Sequence, residues 1–143
     1  FLQAQFSLGQ TANSLSFDGS NDLVNLGTDS AFAIGNPEIT LEAWIFATAW
    51  KTWVYEGGIL VKEENTYNLG YMLRAGEGGK LNFAVGNGSW NELTTKAGTL
   101  SLNTWTHVAA TYDGTFSRIY VKSTKFELLY SALLFDLKSL PLA

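Results

Sequence analysis

The stretch NTWTHVAATYDGTFSRIYV, Asn103 to Val121, limits the fold more than any other part of the chain. It reads as two strands joined at Asp113-Gly114. An Asp-Gly pair between alternating segments is a strong hairpin signal, because a type I′ turn needs positive φ at both central residues. Before the turn, Thr106, Val108, Ala110 and Tyr112 alternate with Trp105, His107, Ala109 and Thr111. After it, Ser117, Ile119 and Val121 alternate with Phe116, Arg118 and Tyr120. Successive side chains of a strand point to opposite faces, so each strand buries one set and turns the other away. Val108 and Ala110 are therefore expected to meet Ile119 and Val121 in an apolar seam, with Arg118 on the wetter face.

These residues carry a family resemblance. WTHVAATYDG followed by RIYV is similar to the late hairpin of laminin-G-like, concanavalin A-like domains, the jelly-roll sandwich of legume lectins and pentraxins. LSFDGSNDLVNLG, Leu15 to Gly27, is similar to the opening strand of that family, and ITLEAWIFA, Ile39 to Ala47, to its next strand. GGILVKEENTYNLGYML and GKLNFAVGNG follow in the family's order. The resemblance implies an all-β, antiparallel jelly-roll β-sandwich and a binding role rather than a reaction. It divides the chain into an N-terminal segment 1–14, a domain 15–121 and a divergent or truncated tail 122–143.

A length of 143 residues suits one domain with a real core. Lys and Arg number nine, are not clustered, and leave a net charge of −4. That argues against a nucleic-acid footprint, which needs a basic stripe to displace counterions from phosphates. No cysteine is present, which removes disulfides and thiolate chemistry but is common in bacterial secreted domains. No run approaches the ~18 apolar residues that a membrane span requires. Phe1 to Gln5 read either as the tail of an export signal, with Ala4 near the cleavage point, or as a disordered or edge-strand terminus.

Leu15, Phe17, Leu23, Val24 and Leu26 are expected in the first strands, around the turn FDGSND. Asp18, Asn21 and Asp22 offer oxygens there, the donor type that calcium prefers. The plainer reading is a turn, since Asp, Asn, Ser and Gly tolerate αL and cap their own backbone. Ile39 to Ala47 carries large apolar residues on both alternating sets, which predicts a central strand covered on both sides. Trp50, Trp53 and Tyr55 follow in a loop. They form either a sugar-stacking platform, since pyranose C–H faces sit on an indole ring, or an aromatic plug at one end of the sandwich. Trp90 is expected at a loop tip as a third ligand-binding aromatic, ahead of a strand from Leu93 to Thr99.

Glu63-Glu64 read as a solvated loop. Glycoside hydrolysis needs two carboxylates flanking one bond at roughly 5–9 Å, and adjacent residues point apart. The sandwich-fold glucanases carry their glutamates on alternating positions with an Asp between, and no Glu-x-Asp-x-x-Glu pattern occurs here. Gly76, Gly78 and Gly79 suggest a hairpin turn and not a phosphate cradle, because no Lys-Ser/Thr or helix follows. His107, with no second His or Cys nearby, reads as a satisfied core or interface residue.

All glycines lie at or before Gly114. Where the family continues Val-Asn-Gly, this chain reads Val121-Lys122-Ser123, and FELLYSALLFDLKSL has apolar residues close to helical spacing. The tail is a divergent end, a short helix, or the product of an altered reading frame. The function expected is a non-catalytic module that binds a glycan or a surface protein partner, at a bacterial cell surface or in secretion, with calcium as its candidate cofactor. The alternatives are an adhesion spacer with no small-molecule site and, more weakly, a glycoside hydrolase relative.

Overall fold

A computed structural model of the chain describes residues 2–5, 14–29, 32, 38–64, 66–121 and 124–126. Among the described residues, ten strands build two antiparallel sheets. In chain order they are β1 (Leu2–Gln5), β2 (Ser14–Ser16), β3 (Glu38–Ala47), β4 (Gly58–Glu64), β5 (Leu69–Gly76), β6 (Lys80–Asn87), β7 (Trp90–Thr94), β8 (Thr106–Asp113), β9 (Ser117–Val121) and β10 (Thr124–Phe126). One sheet has the order β10-β9-β8-β3-β1-β2 and the other β4-β5-β6-β7. The chain passes from the first sheet to the second after β3, through a 3₁₀ turn at Val54–Glu56, and returns after β7.

The two sheets bury one set of side chains against each other. Leu41 and Ile45 of β3, Val108 and Ala110 of β8, and Ile119 and Val121 of β9 come from the six-stranded sheet. Leu73, Ala75, Leu81, Phe83, Val85 and Leu93 come from the other, and Leu100 closes the cluster from a connection. Phe83 has no solvent exposure. At about 25 cal/mol per Å² of apolar surface removed from water, such a shared layer holds the sheets face to face. This is the antiparallel β-sandwich that the alternation and the family resemblance predict.

The seam of the late hairpin forms as its alternation requires. Val108 pairs with Val121 and Ala110 with Ile119, all buried, while Arg118 sits opposite Thr111 on the outer face. The turn differs from the expected type I′. Asp113 N–H donates to Phe116 O, so Gly114 and Thr115 are the central residues, and only Gly114 has positive φ. That is the type II′ pattern. Asp113 instead caps the loop: its Oδ1 accepts from Thr115 N at 3.0 Å and Phe116 N at 2.8 Å.

Three other expectations are corrected. Leu23, Val24 and Leu26 are not in a strand: residues 17–29 pair with no ladder, and these three side chains are exposed. β3 is central, between β8 and β1, yet only one of its faces is covered. On the other, Thr40, Glu42 and Trp44 are exposed, and the aromatics pair sideways, Trp44 with His107 and Phe46 with Trp105. The strand expected from Leu93 to Thr99 instead runs Trp90–Thr94, because Trp90 continues the ladder opposite Gly86. At the tail, Thr124–Phe126 pair with β9; the helix expected beyond Phe126 and most of segment 1–14 lie outside the described residues.

Candidate functional site

The loop after β3 is tied to the end of β5 by its backbone. Glu77 N donates to Lys51 O at 3.0 Å and Ala75 N to Gly57 O at 2.8 Å. Between these anchors the 3₁₀ turn is capped by Glu56, whose Oε2 accepts from Trp53 N at 2.9 Å. Gly76 makes the approach possible. A Cβ there would lie 2.8 Å from Trp53 O and 3.0 Å from Val54 Cα, so only glycine lets the loop cross this end of the strand.

Backbone held this tightly can display large side chains without collapsing over them. Trp53 is 50% exposed and Tyr55 60%. Their rings are parallel to within 5°, with centroids 6.3 Å apart. The two rings stack on each other, and the exposed part of each is an apolar, electron-rich surface of the kind that polarised C–H bonds pack against. Trp50, three residues earlier, is half-buried and packs on the core, as the plug reading expects of it.

Trp90 is elsewhere. It is half-buried beside Gly86, where an added Cβ would come within 2.8 Å of its ring, and it pairs across from that glycine. Gly86 is six residues along β6 from Lys80, the partner of Gly76, which places Trp90 about 20 Å from the platform's end of the sheet. Trp50 and Trp53 share one loop; Trp90 does not join them.

Asp18 and Asp22 lie together in one exposed turn. Asp22 Oδ2 accepts from Asp18 N at 2.8 Å, Asp18 Oδ1 from Ser20 N at 2.7 Å, and the Lys51 ammonium takes Gly19 O at 2.7 Å. Each carboxylate thus spends one oxygen on its own backbone, and a cation already holds a carbonyl. Calcium takes six to eight oxygens. The turn is thus capped by its own carboxylates, and no group of three or more Asp, Glu, His or Cys side chains gathers among the described residues.

Glu63 and Glu64 end β4, opposite Gly70 and Leu69 respectively, so they face opposite sides of the sheet. Glu64 caps the next turn, accepting from Thr66 N and Tyr67 N, each at 2.9 Å. His107 stands on the outer face of the six-stranded sheet, with Nε2 3.6 Å from Glu42 Oε2 and its ring 5.3 Å from Trp44.

Sequence reasoning missed a polar cluster on the outer face of the four-stranded sheet. Arg74 donates through Nε and Nη2 to Asn82 Oδ1 at 3.0 and 2.8 Å, and through Nη2 to Glu92 Oε2 at 3.3 Å. Asn82 Nδ2 donates to Glu92 Oε2 at 2.9 Å and Thr94 Oγ1 at 2.8 Å. The available signal was alternation: these residues interleave with core-facing Leu73, Ala75, Leu81, Phe83 and Leu93. Yet only the ladder shows that the four meet.

Residues 18–125 match a family model whose description is the concanavalin A-like lectin/glucanases superfamily. Neither a curated protein nor a solved structure matches the chain significantly.

Proposed function

The chain belongs to the concanavalin A-like lectin/glucanase superfamily, and from that membership we propose that it is a non-catalytic recognition module that binds carbohydrate through Trp53 and Tyr55. The parallel, exposed pair of rings carries this reading. A backbone fixed at both ends of the loop presents the pair ready-formed, so little ordering entropy is lost on binding. The setting proposed is a secreted or cell-surface protein, with a cysteine-free composition that suits a bacterial one. Among the described residues no helix is long and apolar enough to cross a membrane.

A protein partner is the second reading. Trp44, exposed between Phe46 and His107 on the outer face of the six-stranded sheet, favours it. Affinity electrophoresis through polysaccharide gels separates the two readings. Retardation of the wild type that Trp53→Ala abolishes supports carbohydrate binding at this loop, whereas no retardation in any polysaccharide gel favours the protein partner. The non-catalytic part rests on the divergence of Glu63 and Glu64. Turnover of a β-glucan that disappears in Glu63→Gln or Glu64→Gln would defeat it.

A further inference from the structure

The connection between β6 and β7 reads Asn87-Gly88-Ser89, and its Asn-Gly pair is the single one in the chain. Gly88 serves the fold there, because its φ of +96° lies where glycine alone is unstrained. The pair also sets a side-chain amide carbon next to a backbone nitrogen with which it can react. Glycine has no Cβ to shield that nitrogen. A Cβ added at Gly88 would meet nothing within 4 Å, so the loop has room around the reacting atoms.

The hydrogen bonds of the loop suit such a reaction. Asn87 Oδ1 accepts from Asn91 Nδ2 at 3.2 Å, a bond that draws electrons from Cγ and stabilises negative charge developing on the oxygen. Gly88 N donates to Asn68 O at 3.3 Å, and Asn68 Nδ2 reaches Gly88 O at 3.5 Å. Both of these bonds are long and join two surface connections, so freeing the nitrogen costs little. Asp18-Gly19 and Asp113-Gly114 share the backbone pattern but not the chemistry. An ionised carboxylate has no neutral group to expel, and the bonds from Arg118 and Phe116 N hold Asp113 at about 2, ionised at neutral pH.

We propose that Asn87 is a site of spontaneous deamidation, at which the β6–β7 turn converts itself to aspartate and isoaspartate. A base in solution removes the Gly88 amide proton. Gly88 N then bonds to Asn87 Cγ, the Cγ–Nδ2 bond breaks, and ammonia leaves a five-membered imide behind. Water opens the ring in one of two ways. Attack at Cγ breaks its bond to Gly88 N and gives aspartate. Attack at the backbone carbonyl carbon breaks the original peptide bond and gives isoaspartate. One water is consumed for each ammonia released, and nothing is oxidised or reduced. The product places a negative charge beside Asn91, and isoaspartate also lengthens the backbone by a methylene three residues before Trp90.

The test incubates wild-type protein, folded and in urea, at pH 8 and 37 °C. Isoelectric focusing follows the charge, and peptide mapping with electron-transfer fragmentation tells isoaspartate from aspartate. The expected result is an acidic shift of one charge, with Asn87 converting ahead of every other asparagine. The folded rate should lie within about tenfold of the unfolded one, because surface loops open at almost no free-energy cost. Slowing beyond tenfold in the folded state, or another asparagine converting first, overturns the inference. Asn87→Gln would have to close a six-membered ring and should lose the shift; a shift that persists overturns it as well. Asn91→Ala should convert more slowly than wild type when folded and at the same rate in urea. An equal folded rate overturns the part assigned to Asn91. Should either variant melt lower, the wild-type comparison of folded and unfolded rates decides alone.

Discussion

Trp50 and Trp53 sit three positions apart in one loop and point to different environments, Trp50 into the sandwich core and Trp53 out beside Tyr55. The loop turns between them because Lys51 O is taken by Glu77 N, while Glu56 caps Trp53 N. Trp53→Ala should weaken carbohydrate binding by about 1–2 kcal/mol, the scale of a stacked aromatic contact, and leave melting almost unchanged. Trp50→Ala should cost about 2–4 kcal/mol of stability through the cavity it leaves. One melting curve and one binding isotherm per variant distinguish these roles; the reverse pattern would exchange them.

Asp113 should make the protein more stable at neutral pH than in strong acid. The bond from Arg118, followed by that from Phe116 N, holds its carboxyl at about 2, below the usual 3.8. A depressed pKa contributes stability above the unfolded value, and that contribution is lost as pH falls through the folded value. The side chain is 42% exposed, so solvent screening keeps the effect below about 1 kcal/mol. Urea unfolding of wild type and Asp113→Asn should differ at pH 7 and pH 5 and converge near pH 2. A gap that widened on acidification would contradict this.

Calcium should change melting very little. Asp18 and Asp22 each commit an oxygen to backbone N–H groups, and Lys51 competes for the turn's carbonyl. A ligand stabilises only in proportion to the logarithm of its concentration over its dissociation constant. Scans in chelator and in millimolar calcium should agree within a degree or two. A shift of many degrees that Asp18→Asn removed would establish a site at this turn.

Two glycines with similar backbones should respond unequally to alanine. Gly79, at φ +88°, would place a Cβ 2.4 Å from Leu100 O, whereas Gly98, at φ +76°, has nothing within 4 Å. Gly98→Ala carries only the left-handed penalty, about 1–2 kcal/mol. Gly79→Ala must in addition displace backbone that accepts from and donates to its own turn, since Gly79 N binds Gly76 O and Leu100 N binds Gly79 O. Chemical denaturation should find it the more damaging by at least about 1 kcal/mol.

What the sequence alone determined was local and periodic. Val108, Ala110, Ile119 and Val121 declared their shared face through strict alternation, because a pleated strand turns chemistry at i and i+2 toward one side, and five ordered motifs implied the sandwich through their resemblance to a family. The same logic failed where exposure depends on a distant neighbour. Leu23, Val24 and Leu26 look like strand residues but pair with nothing described, and β3 looks two-sided but is covered on one side. Trp50, Trp53 and Trp90 are equivalent as letters; only the backbone anchoring of the loop and the glycine beneath Trp90 decide which packs on the core, which is exposed and which lies across the sheet. Arg74, Asn82 and Glu92 meet solely through the register of β5, β6 and β7. Register couples residues far apart in the chain, and a shift of one position would send each of them to the opposite face. Burial and polar clustering across strands are therefore properties of the tertiary structure, where long-range pairing supplies the neighbours that alternation leaves unspecified.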